Sequence, residues 1–282
     1  MVATPIGNMA DISLRALQVL AMVDTVACED TRHTASLLQA YGLHKPLLAL
    51  HEHNEEAAAQ TVVARLREGQ RVAYVSDAGT PGVSDPGARL AAVVTAAALR
   101  CVPIPGASSI TALLSVAGEA GWDGRFVFAG FLSPKAAERK REVLQMGADA
   151  RACVLLEAPH RIEALANELA TLGARRLTIG RELTKQFEEV AQIEAGTFPE
   201  WLAGESHRTR GEFVLLVHPK AADAAQEGEI DASVLRTLSL LMGELPLKTA
   251  VRLCAEITGE PRNALYQAAL ALRNQGGSDD GD

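Results

Sequence analysis

The sequence predicts an α/β protein: two α/β domains followed by a small helical domain. Three observations predict it. Short apolar, β-branched runs alternate with longer helix-compatible segments from Ser13 to Val217, the pattern of a sheet covered by helices. Several of those runs end in glycine-rich or charged turns, and open α/β sheets bind ligands where strands end and the chain turns toward a helix. After an acidic stretch, Leu235 to Leu272 carries helical signals alone.

Residues 1–105 read as the first domain. A truncated strand at Met1–Ala3 leads into the turn Ala3-Thr4-Pro5-Ile6-Gly7-Asn8. A helix from Ser13 to Val23 follows, then a strand at Thr25–Cys28, a helix from Thr31 to Ala40, a strand at Pro46–Leu50 and a helix from Glu55 to Glu68. Alternation of this kind makes a parallel sheet. The cluster Glu29-Asp30-Thr31-Arg32-His33-Thr34 sits directly after a strand, and helix capping and function explain it equally well. His51-Glu52-His53 has the look of a metal cluster, but spacing supplies no third ligand and a polar rim is the better reading.

The organising stretch is Arg71 to Gly87. Arg71–Val75 suits a buried strand, and Ser76-Asp77-Ala78-Gly79-Thr80-Pro81-Gly82-Val83-Ser84-Asp85-Pro86-Gly87 is a loop stiffened by proline and opened by glycine, ahead of a helix from Ala88 to Leu99. A second bend of this kind runs from a short strand at Cys101–Pro105 into Gly106-Ala107-Ser108-Ser109. The serines either cap the next helix or turn toward a ligand at its N-terminus. Neither G-x-G-x-x-G nor a P-loop occurs, which argues against an ordinary dinucleotide or NTP site.

Residues 106–220 read as the second domain. Phe126–Leu132, Ala152–Leu156, Leu177–Gly180 and a closing Glu212–Val217 are strands, with helices beginning at Arg139 and running from Ile162 to Leu172. Glu157-Ala158-Pro159-His160-Arg161 and Arg181-Glu182-Leu183-Thr184-Lys185-Gln186-Phe187-Glu188 follow two of these strands. With the cluster at 29–34 they make three charged turns after three strands, and a helix start would explain the last of them too. Residues 221–234 form an acidic linker, 235–275 a helix-turn-helix-like domain turning at Thr258-Gly259-Glu260, and 276–282 a disordered tail. Lys248, Arg252, Arg262 and Arg273 are placed to meet phosphate, although small helical pairs more often serve packing or dimerisation.

At 282 residues, 48% hydrophobic and 22% charged, the composition is globular. No signal peptide leads the sequence, and the longest apolar stretch, Leu90 to Leu99, falls well short of the ~20 residues of a membrane span. Cys28, Cys101, Cys153 and Cys254 are widely spaced, as expected of reduced thiols in a cytoplasmic protein. The net charge of −8 argues against nucleic acid at first sight, but seven unmatched acids lie in 221–235 and 276–282 and leave the rest nearly neutral.

Val-Ala-Thr-Pro-Ile-Gly-Asn at 2–8, Cys-Glu-Asp-Thr-Arg-His-Thr at 28–34, His-Glu-His-Asn-Glu at 51–55, the whole run 76–87, Pro-Gly-Ala-Ser-Ser at 105–109 and Glu-Ala-Pro-His-Arg at 157–161 together resemble the ribosomal RNA small-subunit methyltransferase I family of the tetrapyrrole-methylase (class III methyltransferase) superfamily. The resemblance covers nearly the whole chain. It implies S-adenosylmethionine held folded between two α/β domains, a homodimer, and methylation of the ribose 2′-hydroxyl of a cytidine in the decoding region of 16S rRNA, in the small ribosomal subunit. By matched motif it places Pro5, Asp77, Gly79, Ser108, Ser109 and Leu156 at the cofactor. Members of this family usually carry several apolar residues before the Val-Ala-Thr-Pro motif; either the start lies upstream here or the sheet tolerates a short central strand.

A sulfonium methyl needs alignment more than activation, whereas a ribose hydroxyl is a poor nucleophile at neutral pH and gains from a proton acceptor. Candidates are the carboxylates Asp30, Glu157 and Glu182 and the imidazoles His33 and His160. Arg32, Arg161, Arg181 and Lys185 are candidates to hold the RNA backbone. The competing functions are a tetrapyrrole C-methyltransferase and a non-catalytic RNA-binding protein.

Overall fold

Apolar strands buried on both faces build the first sheet. In the computed structural model, which describes residues 1–51, 54–118, 122–220 and 232–275, β1 (Thr25–Cys28) is buried at every position and lies between β2 (Leu47–Ala49) and β3 (Val72–Val75), both parallel to it. Parallel strands need crossover connections, most often helical, here α1 (Leu14–Met22), α2 (Thr31–Ala40) and α3 (Glu55–Arg67), with α4 (Gly87–Ala96) after β3. Ser13 Oγ accepts the Ala16 N–H and fixes the start of α1. The expected helix to Leu99 ends three residues sooner, because Ala98 turns into the left-handed region at φ 56°.

The shortened first strand does find its place. Val2 donates to Tyr74 O at 2.8 Å on one side, while Ala3 donates to Ile104 O and Ile104 to Met1 O at 3.1 and 2.8 Å on the other. Met1–Ala3 therefore threads between β3 and the segment around Ile104. That segment is not the full strand expected at Cys101–Pro105: it makes a single bridge, Val2 to Ile104, and its prolines at 103 and 105 lack the N–H a ladder needs.

The second sheet is mixed, ordered β4-β5-β8-β6-β7: β4 (Phe126–Gly130), β5 (Ala152–Glu157), β8 (Phe213–Val217), β6 (Arg176–Arg181) and β7 (Glu189–Glu194). β4 and β5 are parallel, and every other pair is antiparallel. The closing strand of the sequence thus becomes the middle strand of the sheet, in keeping with its fully buried Phe-Val-Leu-Leu-Val. The polar run after β6 starts no helix; it is the connection of a hairpin to β7, a strand absent from the sequence reading. Helices α5 (Ser109–Val116), α6 (Ala136–Ala148), α7 (Ile162–Leu169) and α8 (Phe198–Ala203) complete this part. One core joins Leu155, Ile162, Leu165, Ile179, Phe198 and Leu215.

Met1–Lys220 forms one compact unit and Ala221–Asp282 another. In the second, α9 (Ala232–Glu244), α10 (Leu247–Thr258) and α11 (Arg262–Gln275) bury Leu238, Val251, Cys254 and Leu265 against one another. Gly259, at φ 80°, makes the left-handed C-cap that turns α10 toward α11. Most of the acidic linker and the tail 276–282 lie outside the described residues, as do Glu52 and His53 of the histidine cluster. Among the described residues no helix is long and apolar enough to cross a membrane.

Candidate active site

The two glycine bends come together. Gly79, at φ 81°, exchanges backbone bonds with Thr4 at 2.9 and 3.2 Å, and Thr80 Oγ1 donates to Ala107 O at 2.9 Å. A Cβ on Gly79 would press on Ile6 and leave the favoured backbone region, so only glycine lets the first turn and the loop after β3 approach this closely. Asp85 staples that loop: Oδ2 accepts the Gly82 and Val83 N–H groups at 2.7 and 3.2 Å and Oδ1 the Gly87 N–H at 2.6 Å. Sequence reasoning gave Asp85 no role, although an acid two residues ahead of a glycine in a turn is the signal of such a staple.

Around these bends lie two adjoining hollows of 280 and 390 Å³ that share Ile6, Ala78, Lys185 and Glu212. Small-ligand sites fall at about 300–1,000 Å³, mostly apolar with a few placed polar groups. The first hollow has Leu156, Leu183 and Val214 as apolar walls, Gly180 in its lining, and Ser109, Glu157 and Phe131 at its border. The second is bordered by Pro5, Asp77 and His33. A Cβ on Gly180 would come within 2.9 to 3.2 Å of Leu113, Val214 and Leu183, so glycine in β6 keeps that wall open. Two adjoining hollows, both mostly apolar and each edged by a few polar side chains, have the character suited to an adenosyl group carrying an amino-acid tail. A separate hollow of 380 Å³ lies where β3 begins, between Arg71 and Val102, away from the strand ends that carry the polar turns.

Of the residues matched to the cofactor, Pro5, Asp77, Ser109 and Leu156 border the two hollows. Gly79 and Ser108 do not; Gly79 stands behind Ile6, and Ser108 is the N-cap residue of α5 but makes no side-chain cap bond. Asp77 Oδ1 accepts the Asp30 N–H at 3.1 Å, which ties the loop after β3 to the start of α2.

The proton-acceptor candidates separate. Asp30 borders neither hollow. Its carboxylate caps α2 through the Arg32 and His33 N–H groups and pairs with Arg32, and the Arg32 bonds hold it down at about 2. A folded carboxyl below the ordinary 3.8 stabilises the protein above that pH, and the stabilisation disappears as pH falls through about 2. Asp30→Ala is therefore expected to melt earlier at neutral pH and to show a shallower acid decline between pH 4 and 2, read by circular dichroism. Methyl transfer lost with melting unchanged would restore Asp30 as a proton acceptor.

Glu182 borders the first hollow in strained backbone, φ 50°. Burial pushes its carboxyl up, but the bond from Lys185, the Glu212 N–H and nearby cations prevail and leave it below the usual range. Lys185 Nζ lies 2.8 Å from Glu182 and 3.0 Å from Glu212; burial opposes its charge, and the two carboxylates outweigh burial and raise it. Glu182 is thus a weak base bound to a fixed cation. His160 is exposed and borders neither hollow, whereas His33 borders the second.

The four basic candidates also separate. Arg32 is exposed beside Asp30, and Lys185 borders both hollows. Arg161 is half-buried, donating to Leu132 O and pairing with Glu157 at 3.1 Å. Arg181 differs from the other three: its side chain is 4% exposed, and its guanidinium bonds Glu189, Arg210 O and Phe187 O at 3.3, 3.1 and 3.2 Å. A guanidinium that spends a bond from each of its three nitrogens in this way braces two loops. Sequence reasoning also missed Glu212 and Phe131, counting both within strands, whereas each lies just outside one, before β8 and after β4.

The model of the Tetrapyrrole (Corrin/Porphyrin) Methylases matches residues 1–199, and that of the RsmI C-terminal HTH domain matches 228–273. The chain is 47% identical over 273 residues to ribosomal RNA small subunit methyltransferase I of Pseudomonas aeruginosa, covering 95% of each chain. It is 45% identical over 271 residues to the protein of that name from Escherichia coli O157:H7, covering 95% of this chain and 93% of the other. Among solved structures the methyltransferase CobJ superposes with a TM-score of 0.58 at 17% identity, covering 78% of this chain and 93% of CobJ. Uroporphyrin-III C-methyl transferase from Thermus thermophilus, complexed with S-adenyl homocysteine, does so at 0.52 and 16%, covering 76% and 94%. Those two likenesses establish the fold, and the near full-length identities establish the nearer kinship: the chain belongs to the ribosomal RNA small subunit methyltransferase I family, within the tetrapyrrole methylases.

Proposed function

We propose that the protein transfers a methyl group from S-adenosylmethionine to the ribose 2′-hydroxyl of a cytidine in the decoding region of 16S rRNA. One observation carries the reading: identity above 40% to relatives named for small-subunit rRNA methylation, running through the C-terminal helices as well as the α/β unit. A protein with that substrate acts in the cytoplasm on the small ribosomal subunit.

When bound, the cofactor supplies a methyl group already activated by its positive sulfur. The chain's residues have the rest to do. Leu156, Leu183 and Val214 desolvate the flat end of the ligand, and Ser109 at the start of α5 offers its hydroxyl and the free amides of a helix N-terminus. Asp77 and Pro5 fix the other end in the second hollow. Of the five proton-acceptor candidates, His33 alone borders the same hollow as Asp77, and it takes the proton of the attacking hydroxyl. Lys185, held between two carboxylates, faces the incoming backbone. Beyond Glu182 a depression of 680 Å³ is bordered by Phe187, His207 and Arg210 together with Glu188 and Glu189, and the exposed Phe187 ring suits it to an unstacked base. In the helical unit, Arg252 and Arg262 share Glu256 at 3.2 and 3.6 Å, and both guanidiniums stay half-exposed or more.

The homodimer that belongs to this reading has a candidate surface in β4. It is an edge strand, and Phe126 and Phe128 stand exposed on it; an apolar edge calls for cover.

The test is incorporation of labelled methyl into small ribosomal subunits, followed by mapping of the labelled nucleotide. Label is expected on one cytidine ribose, and His33→Ala is expected to lower the rate about 100-fold or more while leaving cofactor affinity within twofold. Label on a porphyrinogen instead would identify a tetrapyrrole enzyme, and no label on any acceptor would identify a mere binder.

A further inference from the structure

The wall between the two hollows is charged. Glu182, Lys185 and Glu212 all border the first hollow, and Lys185 and Glu212 border the second as well. Glu182 Oε1 accepts from Lys185 Nζ at 2.8 Å and from the Glu212 N–H at 2.9 Å, while Lys185 Nζ also donates to Glu212 Oε2 at 3.0 Å. Close packing holds this triad in place: a Cβ on Gly7 would run into the Lys185 stem, and one on Gly211 into the Glu182 side chain. Two carboxylates against one ammonium leave the wall with one net negative charge. The remaining carboxylate of the first hollow, Glu157, is matched by Arg161 at 3.1 Å and adds nothing to it.

A ligand with its flat end in the first hollow and its amino-acid tail in the second has its sulfur between them, beside the residues the two hollows share. That sulfur is cationic before transfer and neutral afterwards. As the methyl carbon bonds to the hydroxyl oxygen, the C–S electron pair stays on sulfur and the hydroxyl proton leaves to a base. A fixed negative charge attracts the sulfonium and has no charge to attract in the thioether. We propose that the triad Glu182, Lys185 and Glu212 sets the protein's preference for the sulfonium cofactor over its thioether product, so that the product gives way to fresh cofactor. The proposal rests on the methyltransferase reading. Its effect lies in ligand exchange, because holding the charged ground state does nothing to speed the methyl step itself.

The experiment uses the full chain and reads one ratio by calorimetry, the affinity for S-adenosylmethionine over that for S-adenosylhomocysteine. Glu212→Gln leaves the wall neutral and is expected to lower the ratio about fivefold, chiefly by weakening S-adenosylmethionine. Lys185→Gln leaves two negative charges and is expected to raise it by about as much. Opposite shifts are the signature of charge, since a lost contact or a loosened loop weakens both ligands together and leaves the ratio where it was. In the wild-type protein the ratio is expected to fall as salt rises from about 0.05 M to about 0.5 M, and in Glu212→Gln to stay flat. The Glu212 side chain is 76% exposed, so its variant folds, and it decides the matter with the salt series even where Lys185→Gln does not fold. A ratio that Glu212→Gln leaves within about twofold of the wild type, or that both variants move in one direction, overturns the proposal. A wild-type protein that binds neither ligand refutes the methyltransferase reading itself, which is a separate result.

Discussion

Arg181→Ala is expected to lower the unfolding free energy by about 3 kcal/mol, the lower end of the ~3–5 kcal/mol for breaking a buried ion pair. The reason is the number of groups that one guanidinium satisfies. It neutralises Glu189 and closes on the carbonyls of Phe187 and Arg210, one in each loop flanking the depression. Without it both carbonyls lose their donor. The loss stays at the lower end because Arg208 remains on Glu189 at 2.8 Å, its guanidinium lying over the Trp201 ring. Arg181→Lys is expected to recover little, since an ammonium cannot reach three divergent acceptors from one point. Thermal melting would fall by roughly 6–12 °C for a unit of this size. If the variant melts like the wild-type protein and instead binds RNA more weakly with a smaller salt dependence, Arg181 is a phosphate contact after all.

Why Arg181 reads as a rim cation in the sequence is instructive. A charged residue at the end of an apolar strand has the pattern of a binding turn, and Glu157 and Asp77 at comparable positions do border the cleft. What buries Arg181 is Glu189, eight residues on, at the start of a strand whose Glu-Val-Ala-Gln-Ile-Glu is half polar because only one of its faces is packed. Periodicity over six residues with charges at both ends gives too little apolar signal to mark it. Elements with local, redundant signals were legible: Thr25–Cys28 is fully buried, and α2 starts where Asp30 caps it. The segment around Ile104 was over-read for the converse reason. Its apolar character is real, but the two prolines withhold donors and its neighbour Met1–Ala3 is three residues long. At the site, the loop 76–87 and the bend at 105–109 were legible from glycine and proline chemistry. Their convergence depends on Gly79 meeting Thr4 across the fold, and no sequence spacing encodes it. Glu212 and Phe131 escaped notice because each is a single residue beside a strand, significant only through the neighbours that folding brings.

Asp77→Ala is expected to abolish measurable cofactor binding, a loss of about 2–5 kcal/mol if the carboxylate bonds a charged or hydroxyl group of the ligand in a largely desolvated cleft. That corresponds to roughly 30-fold to several-thousand-fold in dissociation constant. Asp77 also has a structural duty, since Oδ1 accepts the Asp30 N–H and joins the loop after β3 to the capped start of α2. The alanine variant removes both functions at once, so Asp77→Asn is the informative partner. An amide oxygen still accepts the Asp30 N–H and preserves the loop, while the negative charge offered to the ligand is gone. If Asp77 binds the cofactor, the asparagine variant melts within about 0.5 kcal/mol of the wild-type protein, as a substitution that spares the packing should, yet loses at least tenfold in affinity for S-adenosylhomocysteine by calorimetry. If asparagine restores affinity fully and alanine does not, Asp77 acts through the loop alone. The ligand is then held by what that loop positions, with Ala78 as the loop's own residue in both hollows.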